Sequence, residues 1–122
     1  MEIHDRQDLN LTALATSSSS TSTAVSSDEV IDITEKGGIE NAQYVVKVPS
    51  ADKTLTVAIV GDSNPAGQFG TTVASFTTTA NTAMEVRERI PLNAPRYWKL
   101  KVTTNGTAAP TTAVTAKLTV RV

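Results

Sequence analysis

The segment from Arg96 to Thr103 constrains the fold of this chain more than any other part of its sequence. Polar and apolar residues alternate along it without interruption, which is the pattern of a β-strand with one buried face. Trp98, Leu100 and Val102 fall on one side of this strand. Trp98 is also the only tryptophan in a chain whose aromatic content is 4%, and one aromatic ring buries about 150–250 Å². We therefore expect the core to be organised around Trp98.

Two more segments, Thr54 to Val60 and Ala113 to Val122, alternate in the same way. Their apolar sides complete a set of inward-facing residues on three strands. The predicted structural core consists of Trp98, Leu100, Val102, Leu55, Val57, Ile59, Leu118 and Val120.

The rest of the chain also favours strands. Threonine accounts for roughly one residue in six, and its β-branched side chain suits a pleated surface. Strands are predicted at residues 29–34, with Ile31 and Ile33 inward, and at residues 43–48 and 71–79, although the pattern does not settle which side of the 71–79 strand faces inward. Residues 84–90 could form a short helix, but the even spacing of their apolar residues favours a strand.

Turn signals separate these segments at steady intervals, notably at Glu35–Gly38 and in the long loop Gly61–Gly70. Seven or eight short strands of this kind predict an all-β fold, an antiparallel β-sandwich that is jelly-roll-like. Residues 1–27 are predicted to form a flexible N-terminal arm that contains a weak first strand and a Ser/Thr-rich loop. Residues 28–122 are assigned to the sandwich.

The composition argues against several classes of function. The chain has no cysteine, a single histidine at His4 and a net charge of −1, so thiolate metal sites, histidine-based triads and a basic field for nucleic acid are not expected. No segment has the pattern of a signal peptide or a membrane span. We expect a non-enzymatic protein, made in the cytoplasm, without cofactor, metal or small-molecule substrate.

Two motifs resemble chemical sites without completing them. Asp62, Asn64 and Gly67 fall at positions one, three and six of a calcium loop, but position twelve is Val73, where a bidentate glutamate is required. An ordinary turn is the better interpretation. The paired acids of the 84–90 segment are flanked by arginines, which is more typical of a solvated, ion-paired face than of a glycosidase.

Three aromatic residues have the chemistry to stack on a sugar: Tyr44, Tyr97 and Trp98. Trp98 shares a face with Leu100 and Val102, so a core position is expected for it. Tyr97 lies on the opposite, lysine-bearing face and is the better candidate for a surface contact.

The order of these segments resembles that of the small jelly-roll capsid cement, or decoration, proteins of tailed bacteriophages. The segments that carry the resemblance are Leu11–Thr16, Val30–Ile33, Thr54–Ile59, Asp62–Pro65, Pro95–Val102 and Val114–Val120. Together they extend over most of the chain from Leu9 to Val122.

The resemblance implies a virion structural protein, a homotrimer on the exterior of a phage head that clamps neighbouring copies of the major capsid protein. It implies no catalytic residue. The residues expected to contact a partner are Leu9, Leu11 and Tyr97. A carbohydrate-binding β-sandwich module on a virion or cell surface is the alternative, and it requires Tyr97 or Tyr44 to be exposed on a sheet.

Overall fold

The computed structural model describes residues 10–17, 24–33, 43–105 and 109–121. These residues form strand segments and no helix. The strands are β1 (Asn10–Thr16), β2 (Val25–Ser26), β3 (Ile31–Asp32), β4 (Gln43–Val48), β5 (Leu55–Asp62), β6 (Thr71–Thr77), β7 (Met84–Arg89), β8 (Tyr97–Thr104) and β9 (Thr115–Arg121).

The strands form two antiparallel sheets that pack face to face. The first sheet has the order β1-β9-β4-β7, and the second has the order β2-β8-β5-β6, with β3 also paired to β8. If β2 and β3 are taken as one interrupted strand, the chain crosses between the sheets at every connection except the β5–β6 hairpin. This is an eight-stranded jelly roll, so the predicted all-β, antiparallel sandwich is confirmed.

The core lies between the two sheets, where the sequence pattern placed it. All eight residues of the predicted structural core have no exposed surface. Ile31 and Ile33 are also buried, and β4 spans residues 43–48 as predicted. Alternation identifies these faces because successive side chains of a strand point to opposite sides of the sheet.

Trp98 and Tyr44 connect the two sheets directly. Tyr44 lies in β4 of the first sheet and Trp98 in β8 of the second, and their rings meet edge to face with centroids 5.8 Å apart. The Trp98 indole N–H donates a hydrogen bond to the carbonyl oxygen of Pro95 at 2.9 Å. The Tyr44 hydroxyl donates to Glu88 Oε1 at 2.5 Å. Both rings are therefore buried with their polar atoms satisfied.

The first strand belongs to the sandwich itself. β1 pairs with β9 in continuous register from Asn10 opposite Arg121 to Thr16 opposite Thr115, and Ala13 and Ala15 are buried. The predicted boundary between the arm and the sandwich, at residue 28, therefore places β1 in the arm, although β1 is a strand of the first sheet. Small side chains made this strand look weak in the sequence, whereas the full ladder of backbone pairing holds it in place. Residues 1–9 and 18–23 of the predicted arm, and the predicted turn at Glu35–Gly38, lie outside the described residues.

The structure also decides the two segments that the pattern left open. The pairing of β5 with β6 shifts register after Ile59 and leaves Val73 as an extra residue, which is a β-bulge. Ala74 and Phe76 lie opposite core residues of β5 and pack against the core, and so does the bulged Val73. The segment Met84–Arg89 is a strand, as the even spacing favoured.

Replacing Trp98 with alanine is predicted to lower the free energy of unfolding by about 3–5 kcal/mol, because it removes a fully buried ring and leaves a cavity between the sheets. Urea denaturation followed by far-UV circular dichroism measures the change. Tyr97→Ala is the matched control, since it truncates the neighbouring aromatic ring on the outer face. An equal loss for both variants would contradict a core organised around Trp98.

The stability of the protein is predicted to fall as the pH rises above about 10, the ordinary pKa of tyrosine. Burial, reinforced by the hydrogen bond to Glu88, raises the pKa of Tyr44 in the folded chain. The unfolded chain then loses a proton that the folded chain keeps, which costs about 1.4 kcal/mol per pH unit. Tyr44→Phe should remove this dependence when urea midpoints are compared between pH 9 and 11, whereas Tyr97→Phe should retain it.

Candidate functional site

The outer face of the first sheet presents one row of side chains that crosses all four strands. Leu14 of β1 lies opposite Lys117 of β9, Lys117 lies opposite Lys47 of β4, and Lys47 lies opposite Glu85 of β7. All four side chains are exposed. We call this set the Leu14–Glu85 row.

A shallow depression lies along the Leu14–Glu85 row. It has a volume of about 480 Å³ and a largely apolar lining, to which Leu14 and Pro49 contribute. Leu14 is 46% exposed, and it is the one exposed large apolar side chain in the described strands. A second depression of about 510 Å³ adjoins the first at Pro49 and has a more polar lining. The first sheet thus has an apolar patch within its outer surface.

Positive charge surrounds this patch. Among the side chains that the structure describes, strand alternation places four cations on the outer face of the first sheet, namely Lys47, Arg87, Arg89 and Lys117, and one acid, Glu85. We call this surface the basic face. Glu85 is 3.8 Å from the Lys47 ammonium and 3.2 Å from Arg87 Nε. Among the described residues, Lys117 and Arg89 have no ion-pair partner.

Tyr97 lies on the outer face of the second sheet and is only partly exposed. The guanidinium of Arg96 lies over its ring, 5.1 Å from the centroid. Two hydrogen bonds from Arg96 to the Asp32 carboxylate, at 3.0 and 2.9 Å, hold the guanidinium in place. One face of the Tyr97 ring is therefore already occupied within the protein.

The Asp62 loop uses its carboxylate to organise its own backbone. Asp62 accepts hydrogen bonds from the backbone N–H groups of Asn64, at 2.9 Å, and Phe69, at 3.1 Å. These bonds stabilise the ionised form and lower the pKa of Asp62. A Cβ atom at Gly67 would collide with the same carboxylate, so the loop closes tightly around it. This arrangement is that of an ordered turn.

The residues predicted to contact a partner occupy different environments. Leu9 lies outside the described residues. Leu11 packs against the core from the inner side of β1, and Tyr97 is the partly exposed residue described above. Tyr44 is 1% exposed, so the expectation that it could serve as a sugar-stacking surface is wrong: its ring belongs to the contact between the sheets.

Sequence reasoning missed the basic face and Leu14. The signal for Leu14 was present, because it is a large aliphatic residue at a position of β1 whose neighbours on the same face are threonines, Thr12 and Thr16. The cations gave no such signal, since they are dispersed along the chain and only the pairing of β4, β7 and β9 brings them together.

The described residues contain neither a candidate metal site nor a membrane-spanning helix. No group of three or more His, Cys, Asp or Glu residues in residues 10–17, 24–33, 43–105 and 109–121 is arranged to hold a metal ion. Within those same residues, no helix has the length and apolar character needed to cross a membrane.

Comparison with known proteins identifies no family for this chain and shows a weak structural likeness. No protein-family model matches the chain, and no curated protein matches it. A similar solved structure comes from Bacillus endospore appendages, described as a novel family of disulfide-linked pili. It is 13% identical, the match covers 91% of this chain and 85% of that chain, and the TM-score is 0.47. A likeness of this strength carries no argument about function.

Proposed function

We propose that this protein is a virion structural protein, a capsid cement protein that binds the exterior of a tailed-phage head. In this role a homotrimer joins neighbouring copies of the major capsid protein and strengthens the contacts between them. The sequence resemblance to jelly-roll cement proteins supports the proposal, and the chain has the fold that this resemblance implies. Because one fold serves many functions, a particular surface must also support this role.

The observation that carries the proposal is the apolar patch at Leu14 within the basic face. An apolar centre surrounded by charged and polar side chains is the usual anatomy of a protein–protein interface. Leu14 is exposed in a depression of about 480 Å³, and Lys47, Glu85 and Lys117 lie beside it in the same lining. This surface is broad and shallow, which suits contact with another folded protein.

A cement protein does not require a single tight contact. When several copies are linked, each further attachment is intramolecular, so modest interfaces add up to strong binding. A trimer that presents three copies of the basic face would gain in this way. Such an attachment uses the outer surface of the sandwich and leaves the core between the sheets unchanged.

The alternative, a carbohydrate-binding module, has less support. A sugar-binding sandwich typically offers an open aromatic surface for stacking. Tyr44 is buried, and the Tyr97 ring has Arg96 over one face. Binding of a glycan to the wild-type protein on an array would nevertheless favour this alternative over the cement function.

Replacing Leu14 with aspartate is predicted to abolish attachment to heads while the isolated protein remains folded, because an exposed side chain is changed and a charge enters the apolar patch. Leu92→Asp is the matched control, since Leu92 is 94% exposed and lies in a turn outside the strands of the first sheet. The measurement is co-sedimentation with phage heads, together with the native mass of each variant. A wild-type protein that is monomeric and binds neither procapsids nor mature heads would refute the proposal.

A further inference from the structure

We propose that the basic face binds an extended, carboxylate-bearing segment of a partner protein, with an aliphatic side chain two residues from the acidic one. This inference rests on the proposed function in one respect, since the segment would belong to the protein of the shell. Its chemistry follows from the face itself, and it can be tested without phage heads.

Charge is distributed unevenly over the protein. The whole chain has a net charge of −1, yet the described side chains of the basic face include the cations Lys47, Arg87, Arg89 and Lys117 and the acid Glu85. The Glu29 carboxylate lies beside β1, where it accepts a hydrogen bond from the Leu14 N–H at 2.7 Å. Glu85 is shared between two of the cations. The face therefore has excess positive charge that an acidic surface would complement.

A repulsive pair of lysines lies at the centre of the basic face. Lys47 and Lys117 lie directly opposite each other on neighbouring strands, and like charges in this position destabilise a sheet. Glu85 relieves Lys47 from the side away from Lys117, because β7 lies on the other side of β4. A partner carboxylate between the two ammonium groups would remove the repulsion and supply the acid that Lys117 lacks among the described residues.

Leu14 lies in the same row as this pair, on the neighbouring strand β1. Neighbouring strands are separated by about 4.8 Å, so the midpoint between Lys47 and Lys117 lies about 7 Å from Leu14 across the sheet. Side chains two residues apart in an extended segment project from the same face and are separated by about 6.6 Å. A segment that crosses the strands can therefore place an aliphatic residue i against Leu14 and an Asp or Glu at i+2 between the lysines.

A protein segment fits this face better than a nucleic acid does. Single-stranded nucleic acids bind through a cationic groove with aromatic side chains for base stacking. The described residues of the basic face include no aromatic residue, and the carboxylate of Glu85 lies in the same row as the two lysines. The apolar lining of the depression suits an aliphatic side chain, which a phosphate backbone does not supply.

The test is an NMR titration of the ¹⁵N-labelled full chain with a synthetic peptide, acetyl-Gly-Leu-Thr-Glu-Thr-Gly amide. Shifts are expected at the amides of Leu14, Lys47 and Lys117. The double variant Lys47→Gln/Lys117→Gln should weaken binding about tenfold, because two charges at the contact are lost. It should also be at least as stable in urea as the wild type, since the repulsive pair is gone. Lys99→Gln/Lys101→Gln is the matched control, with the same change of charge on the outer face of the second sheet, and it should bind normally.

Two altered peptides test the spacing and the charge. A peptide with the acid moved next to the leucine and one with glutamine in place of glutamate should both bind about tenfold more weakly. Equal binding of either peptide, or equal weakening by the Lys99 and Lys101 variant, would overturn the inference. So would tighter binding of a single-stranded oligonucleotide at the same amides, or binding that appears only after residues 1–9 are deleted, which would identify the chain's own segment as the occupant.

Comparison with the head-binding experiment separates the two proposals. Attachment to heads without binding of the peptide refutes this inference and leaves the cement function standing. Binding of the peptide without attachment to heads supports this inference and refutes the cement function.

Discussion

The rest of this structure depends on the contact of Trp98 with Tyr44 between the two sheets. The rings meet edge to face, 5.8 Å between centroids, and each comes from the inner face of a different sheet. Their polar atoms are satisfied by Pro95 and Glu88, so the two largest fully buried side chains are in the core without an unpaired donor. Aliphatic residues of β5, β8 and β9 fill the space around them and hold the sheets together.

The inner faces of both sheets are buried in this core, so a partner can contact only the outer faces of the sheets and their edges and loops. On the first sheet, the jelly-roll strand order brings β1, β9, β4 and β7 side by side. A row of four residues from distant parts of the sequence is thereby assembled, from Leu14 to Glu85. The repulsion between Lys47 and Lys117 is tolerated because both side chains are exposed and water screens the two charges. An interface that removed that water would lower the local dielectric constant, and the electrostatic interaction of both lysines with their surroundings would become stronger.

The proposed cement function uses these features together. An apolar patch gives binding energy, and the cations around it give orientation and selectivity for an acidic surface. Neither feature needs to be strong when several copies bind one shell. The ordered Asp62 loop and the Arg96–Asp32 pair, by contrast, use their charged groups internally.

Alternation in the sequence by itself determined the all-β class, the inward faces of β5, β8 and β9, and the core around Trp98, because the side-chain period of a strand is a local property of the backbone. Only the tertiary structure decided the inward face of β6, where the bulge at Val73 breaks the period, and the place of β1, whose small residues give little signal without β9. The basic face could not be predicted from the sequence either. Its charged residues become neighbours through the register of β4, β7 and β9, and register depends on non-local pairing.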